Sequence, residues 1–96
     1  MNYNIERGNT IITLKKVKYW GGNIGIDGIY PNGDIVEYTL NHNLHSNVIV
    51  IDNKRYPYIK SELKKQNIIG ENKGYVIANS KLYPVYELTE MALSHL

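Results

Sequence analysis

IITLKKVKYWGGNIGIDGIYPNGDIVEYTL, residues 11–40, reads as three antiparallel strands joined by two sharp turns. Ile24, Ile26, Gly28 and Tyr30 fall on one face of a strand, and Val36, Tyr38 and Leu40 on one face of the next, because side chains alternate across a strand. Pro31-Asn32-Gly33 lies between them. Pro31 has no N–H to give a two-residue hairpin loop, so a three-residue loop is expected, with Pro31 at the first corner, Asn32 at the second and Gly33 left-handed. Gly21-Gly22-Asn23 supplies the other turn. In the first strand Ile12 and Leu14 share one phase while Val17 and Tyr19 share the other. That change of phase predicts a β-bulge near Lys15-Lys16.

Outward from this meander, residues 1–9 are polar apart from Tyr3 and Ile5 and suit a short edge strand or a tail. Residues 42–47 read as a loop. Val48-Ile49-Val50-Ile51 is continuously apolar and β-branched, the pattern of a strand covered on both faces. Asp52-Asn53-Lys54 is expected to turn it back into Arg55-Tyr56, with Pro57 ending the pairing. Ile59 to Gln66 fits two helical turns, with Ile59 and Leu63 on one side and Glu62 within reach of Lys65. Gly70 reads as the helix stop and residues 70–74 as a mobile loop. Tyr75 to Ala78, a turn at Asn79-Ser80-Lys81, and Leu82-Tyr83 form a last hairpin with Pro84 behind it. Residues 87–96 are helical by pattern, with Leu88, Met91, Ala92 and Leu96 as the apolar stripe and Glu87 and Glu90 at the positive end.

The fold expected is therefore α+β and mainly antiparallel β: a small curled sheet or partly open barrel, SH3-like or OB-like, with two short helices near 59–66 and 87–95. Ninety-six residues suit a single domain, 1–96, with one modest core.

Composition narrows the chemistry. The chain has no cysteine, which excludes disulfides, thiolate zinc sites and thiol nucleophiles and fits a cytoplasmic setting. No leader and no membrane-length apolar run is read. A net charge of +2 is too small to argue for nucleic acid by itself. Asparagine, isoleucine and lysine make up about a third of the chain, a bias of AT-rich bacterial or phage genomes.

The glycines of residues 22–28 lack the lysine, hydroxyl and following helix of a phosphate loop. They read as places where another chain segment packs closely. Asp27 and Asp34 are expected at turns, in solvent. His42 and His45 make at most half a zinc site, and no metal or cofactor is expected. No nucleophile–base–orienter set is visible, so the chain reads as a non-enzyme.

Two features remain. Val50-Ile51-Asp52-Asn53-Lys54-Arg55-Tyr56-Pro57 resembles Val76-Ile77-Ala78-Asn79-Ser80-Lys81-Leu82-Tyr83-Pro84 in V-I-x-N, a lysine, then x-Tyr-Pro. Composition favours two hairpins that solved one turn problem; the alternative is a duplicated hairpin–helix unit presenting two matching Lys/Tyr edges. Cations also interleave with aromatics: Lys73 precedes Tyr75, Lys15, Lys16 and Lys18 precede Tyr19 and Trp20, Lys54 and Arg55 precede Tyr56 and Tyr58, and Lys81 precedes Tyr83. Such pairs meet phosphates and bases in small barrels, but they also arise on any half-wet sheet, with Trp20 as the largest core side chain. The eleven of these residues other than Lys73 and Tyr75 are the candidate site.

The expected function is a stoichiometric inhibitor or sequestering protein of phage or mobile-element type, which blocks a protein partner or traps a small anionic, nucleotide-like ligand. Tyrosine and tryptophan suit such contacts, and a symmetric homo-oligomer would be compatible with them. The alternative is a nucleic-acid-binding barrel using the Lys/Tyr/Trp surface.

Overall fold

In the computed structural model, residues 3–42 and 47–96 are described, and they form two four-stranded antiparallel sheets and two short helices. The first sheet has the order β1-β2-β3-β4, from β1 (Asn4–Arg7), β2 (Thr10–Lys18), β3 (Ile24–Ile29) and β4 (Ile35–Glu37). The second has the order β5-β6-β8-β7, from β5 (Thr39–Leu40), β6 (Val48–Ile51), β8 (Lys81–Leu88) and β7 (Ile69–Ala78). The class is α+β and mainly β, and the sheets do not close into a barrel. Asn4–Arg7 form the expected edge strand, β1.

The turn after β3 forms as its chemistry dictates. Gly33 N–H donates to Tyr30 O, Tyr30 N–H donates to Asp34 O, and Gly33 sits at φ 95°. Gly25 and Gly28 are sites of close packing: a Cβ on Gly25 would collide with the Tyr19 ring, and one on Gly28 with Tyr38 and Ile12.

The predicted bulge in β2 is absent. β2 pairs with β3 in unbroken register from Thr13↔Ile29 to Lys18↔Ile24. The third inward position after Ile12 and Leu14 is taken by Lys16, whose Nζ donates to Leu93 O at 2.6 Å. A lysine stem can line the core face and still deliver its charge to a carbonyl, so the apolar pattern stops while the strand continues. Real register shifts occur in β7, between Ile69, Asn72 and Gly74. The segment expected as a loop at 70–74 is thus an irregular strand, held by pairing to β8.

The meander's third strand also departs from expectation. It breaks at Tyr38, where the chain passes from one sheet to the other. Tyr38 N–H donates to Ile26 O of the first sheet, and Tyr38 O accepts from Asp52 N of the second. Tyr38 enters the main core with Val36 against it, whereas Leu40 joins a second apolar cluster with Val50, Tyr83 and Val85. β6 is covered on both faces, since Ile49 and Ile51 belong to the main core and Val50 to the second cluster.

Helix α1 (Ile59–Lys65) buries Ile59 and Leu63, and its Lys65–Glu62 pair lies at 3.8 Å. It ends at Gln66, with Asn67 left-handed at φ 58°, so Gly70 plays no part in stopping it. Helix α2 (Glu90–His95) begins later than expected because Glu87 and Leu88 continue β8. Thr89 caps it by accepting from Ala92 N at 3.1 Å, and its hydroxyl donates to Asn67 O at 2.8 Å.

The two V-I-x-N segments fold differently. The second is a hairpin turning through Asn79 and Ser80, both at positive φ. In the first, Asp52 Oδ1 accepts from Arg55 N at 3.1 Å, and the chain turns directly into α1. Neither a duplicated hairpin nor one shared turn describes both.

Candidate functional site

β6 and β8 are antiparallel neighbours in register Val48↔Glu87, Ile49↔Tyr86 and Val50↔Val85. The end of β6 therefore lies beside the middle of β8. The ladder stops at Val85, and the next residue, Pro84, has no N–H to extend it. Beyond that point the chains part, and a groove of about 420 Å³ opens between the turn at 52–55 and the hairpin tip at 79–81. Lys54, Arg55 and Lys81 line it with Asn79, Tyr83, Leu40 and Asp52.

Among the described residues, none of Lys54, Arg55 and Lys81 takes part in an ion pair. All three are exposed, whereas Tyr83 is only 6% exposed and forms the wall. The two sequence-related segments thus do share a place: their unlike turns bring their cations to one groove.

A second recess of about 560 Å³ adjoins the first through Leu40, Asp52 and Arg55. Its other walls include Asp27, Glu37, Thr39 and Tyr56, so it spans both sheets. Asp27 is not a solvated turn residue. It is half-buried within β3, between Lys15 on β2 and Glu37 on β4, and its enclosed Oδ1 has no hydrogen-bond partner on the protein. Partial burial, then the facing Glu37 carboxylate, hold its pKa above the ordinary aspartate value, against a smaller opposing pull from Lys15. Continuous grooves that are basic at one end and acidic at the other can hold a ligand's anionic group and its hydrogen-bond donors in fixed order.

The remaining candidate residues lie elsewhere. Lys16 is tied to Leu93. The Tyr19 hydroxyl donates to Thr39 O at 3.0 Å and lies 2.6 Å from Thr39 Oγ1, so Tyr19 braces the crossover between sheets. Tyr56 and Tyr58 pack edge-on around Tyr38, and the Tyr58 hydroxyl sits 3.1 Å from that of Tyr38. The Arg7 guanidinium covers the Tyr58 ring at 3.7 Å. Lys15 lies on the outer face of β2, opposite Asp27. Trp20 is not a core residue: at 97% exposed, it stands on the β2–β3 turn, two residues past Lys18.

No protein-family model, curated protein or solved structure matches the chain.

Sequence reasoning missed Asp52, Asn79, Asp27 and Glu37 as lining residues. Asp52 carries a local signal, since aspartate commonly accepts from the backbone of the turn that follows it. The other three become neighbours only through strand pairing. The expected His42–His45 pair falls partly outside the described residues. Among the described residues, no group of three or more potential ligands is placed to hold a metal ion, and no helix is long and apolar enough to cross a membrane.

Proposed function

We propose that the protein is a non-catalytic binding module that sequesters a small anionic ligand of nucleotide size in the groove formed by Lys54, Arg55 and Lys81. One observation carries this reading: three cations without ion-pair partners among the described residues, from turns far apart in the chain, line one concave site. The groove's volume lies within the range of small-molecule sites. The planar Arg55 fork suits two phosphate oxygens at once, and the lysines add mobile charge around it. Binding by mass action, without turnover, is the behaviour of the phage- or mobile-element-type sequestering protein anticipated from composition.

The small ligand is favoured over a polynucleotide because free stacking platforms beside the groove are scarce. Tyr83 is buried to its edge, and the Tyr56 ring is engaged by Tyr38 and Tyr58. Of the expected rings, Trp20 alone is almost wholly free. Calorimetry and melting curves with nucleoside mono-, di- and triphosphates test the proposal. Saturable one-to-one binding is expected, reduced at least tenfold in a Lys54→Ala/Lys81→Ala double variant that melts like wild type. A ligand at a hundred times its Kd would stabilise the fold by about 2.7 kcal/mol. No heat and no melting shift at millimolar nucleotide, or equal binding by the double variant, would end the proposal.

A further inference from the structure

We infer that β7 is a self-association edge, along which a second copy of this chain pairs to make one continuous sheet. β7 is the last strand of its sheet, so one side of its backbone is unpaired. Its first half is protected: the register shifts at Asn72 and Gly74, Asn72 Oδ1 accepts from Gly74 N at 2.8 Å, and Lys73 and Glu71 form a charged pair at 3.1 Å. Irregularity and charge are the usual ways of blocking an edge. From Gly74 to Ala78 the protection ends. Pairing to β8 is regular there, and residues 74–78 include neither a charge nor a proline.

The same segment presents a row of uncovered apolar side chains. Tyr75 is 62% exposed, Ile77 73% and Leu82 51%, and Ile77 is paired directly with Leu82. Tyr75, Ile77 and Leu82 lie in the face phase of Tyr86 and Leu88, which pack in the main core. The hairpin therefore carries a core-like face past the core's end. A bare row beside a bare edge is satisfied by another strand, which covers side chains and backbone together.

A second copy fits because the segment is self-complementary. With a two-residue loop at Asn79-Ser80, Ala78 and Val76 turn their backbone groups toward β8, and Tyr75 and Ile77 turn theirs outward. A two-fold axis through Val76 sets Tyr75 opposite Ile77 of the second copy, and Ile77 opposite its Tyr75. Each pair then exchanges backbone hydrogen bonds, and an aromatic ring rests on a β-branched side chain, a favourable cross-strand match. Centring one residue later would bring left-handed Asn79 against Tyr75, and one earlier would bring the irregular Lys73-Gly74 step into the ladder. The uncharged row allows like to meet like, whereas the Lys54/Arg55/Lys81 surface would repel its own copy.

Light scattering and sedimentation across micromolar to millimolar concentration test this. The mass is expected to rise from 11.0 kDa toward twice that value. Ile77→Lys should hold it at 11.0 kDa throughout, while Ile11→Lys, at an exposed isoleucine on β2, should behave as wild type. The chain has no cysteine, so single introduced thiols report the register. Oxidised Val76→Cys should run as a covalent dimer, whereas two Ala78→Cys thiols would lie beyond disulfide reach. A monomeric wild type at all concentrations, an Ile77→Lys variant that still dimerises, or equal cross-linking of both cysteine variants would each overturn the inference.

Discussion

Lys16 and Leu93, seventy-seven residues apart, are joined by a 2.6 Å hydrogen bond from the lysine ammonium to the leucine carbonyl oxygen. This bond fastens the C-terminal helix to the middle of β2. It places a cation at the end of α2, where unpaired carbonyls gather partial negative charge. Replacing Lys16 with Met keeps the stem and removes the charge. A loss of roughly 1.5–3 kcal/mol is expected for a hydrogen bond to a charged group. The melting temperature should fall by about 4–8 °C for each kcal/mol lost. Lys18→Met, at an exposed end of the same strand, should stay within about 0.5 kcal/mol of wild type.

Gly25 and Gly28 leave room for Tyr19 and Tyr38. Alanine at either position pushes a methyl into a ring, a cost of about 1–3 kcal/mol for overpacking. Neither glycine has a positive φ, so the loss comes from space and not from backbone strain. Denaturant melts of Gly28→Ala should show a lower midpoint. In a Gly28→Ala/Tyr38→Leu background the two losses should be less than additive, because the clash with the ring is gone.

Asp27 provides a pH-dependent test. Its folded pKa is raised, chiefly by burial and then by Glu37, so ionised Asp27 destabilises the fold. The cost is fully present above the folded pKa and disappears as pH falls below the unfolded value, where both states are protonated. Asp27→Asn should therefore stabilise the protein at neutral pH by a few tenths of a kcal/mol, on the order expected for screened, directly opposed like charges. The gain should vanish in acid. Equal gains at pH 7 and pH 3 would contradict this account.

The tyrosine cluster fixes the alkaline limit. Tyr38 is pushed well above the ordinary phenol range by burial first and then by its hydrogen bond to Tyr58, and Tyr19 and Tyr56 are raised mainly by burial. The folded state thus holds phenol protons that the unfolded state releases as pH rises past about 10. The tyrosines' contribution to stability is level below that pH and declines above it. Tyr38→Phe should cost about 1 kcal/mol at neutral pH for the lost hydroxyl contact, yet unfold less steeply in base. Absorbance titration of the phenols alongside circular dichroism checks both.

Turn chemistry was legible because it is local. Pro31-Asn32-Gly33 admits few backbone paths, and the structure takes the one its missing N–H and free φ prescribe. The apolar pairs Ile59/Leu63 and Val48–Ile51 were equally readable from spacing. Lys16 misled because periodicity treats lysine as outward, while its stem turned inward. Residues 70–74 misled because Gly-Glu-Asn-Lys-Gly has loop composition, and pairing to β8 overrides it. Of the candidate site, Lys54, Arg55, Lys81 and Tyr83 converge, but their convergence depends on the β6–β8 register and the break at Pro84. No local pattern records either.

The chain crosses between its sheets through one residue, Tyr38, hydrogen-bonded to both. The recess bounded by Asp27 and Glu37 on the first sheet, and by Leu40 of the second with Asp52 just past the end of β6, straddles that crossing. An occupant gripping both walls would therefore join the two sheets a second time, beside the place where the backbone passes from one to the other.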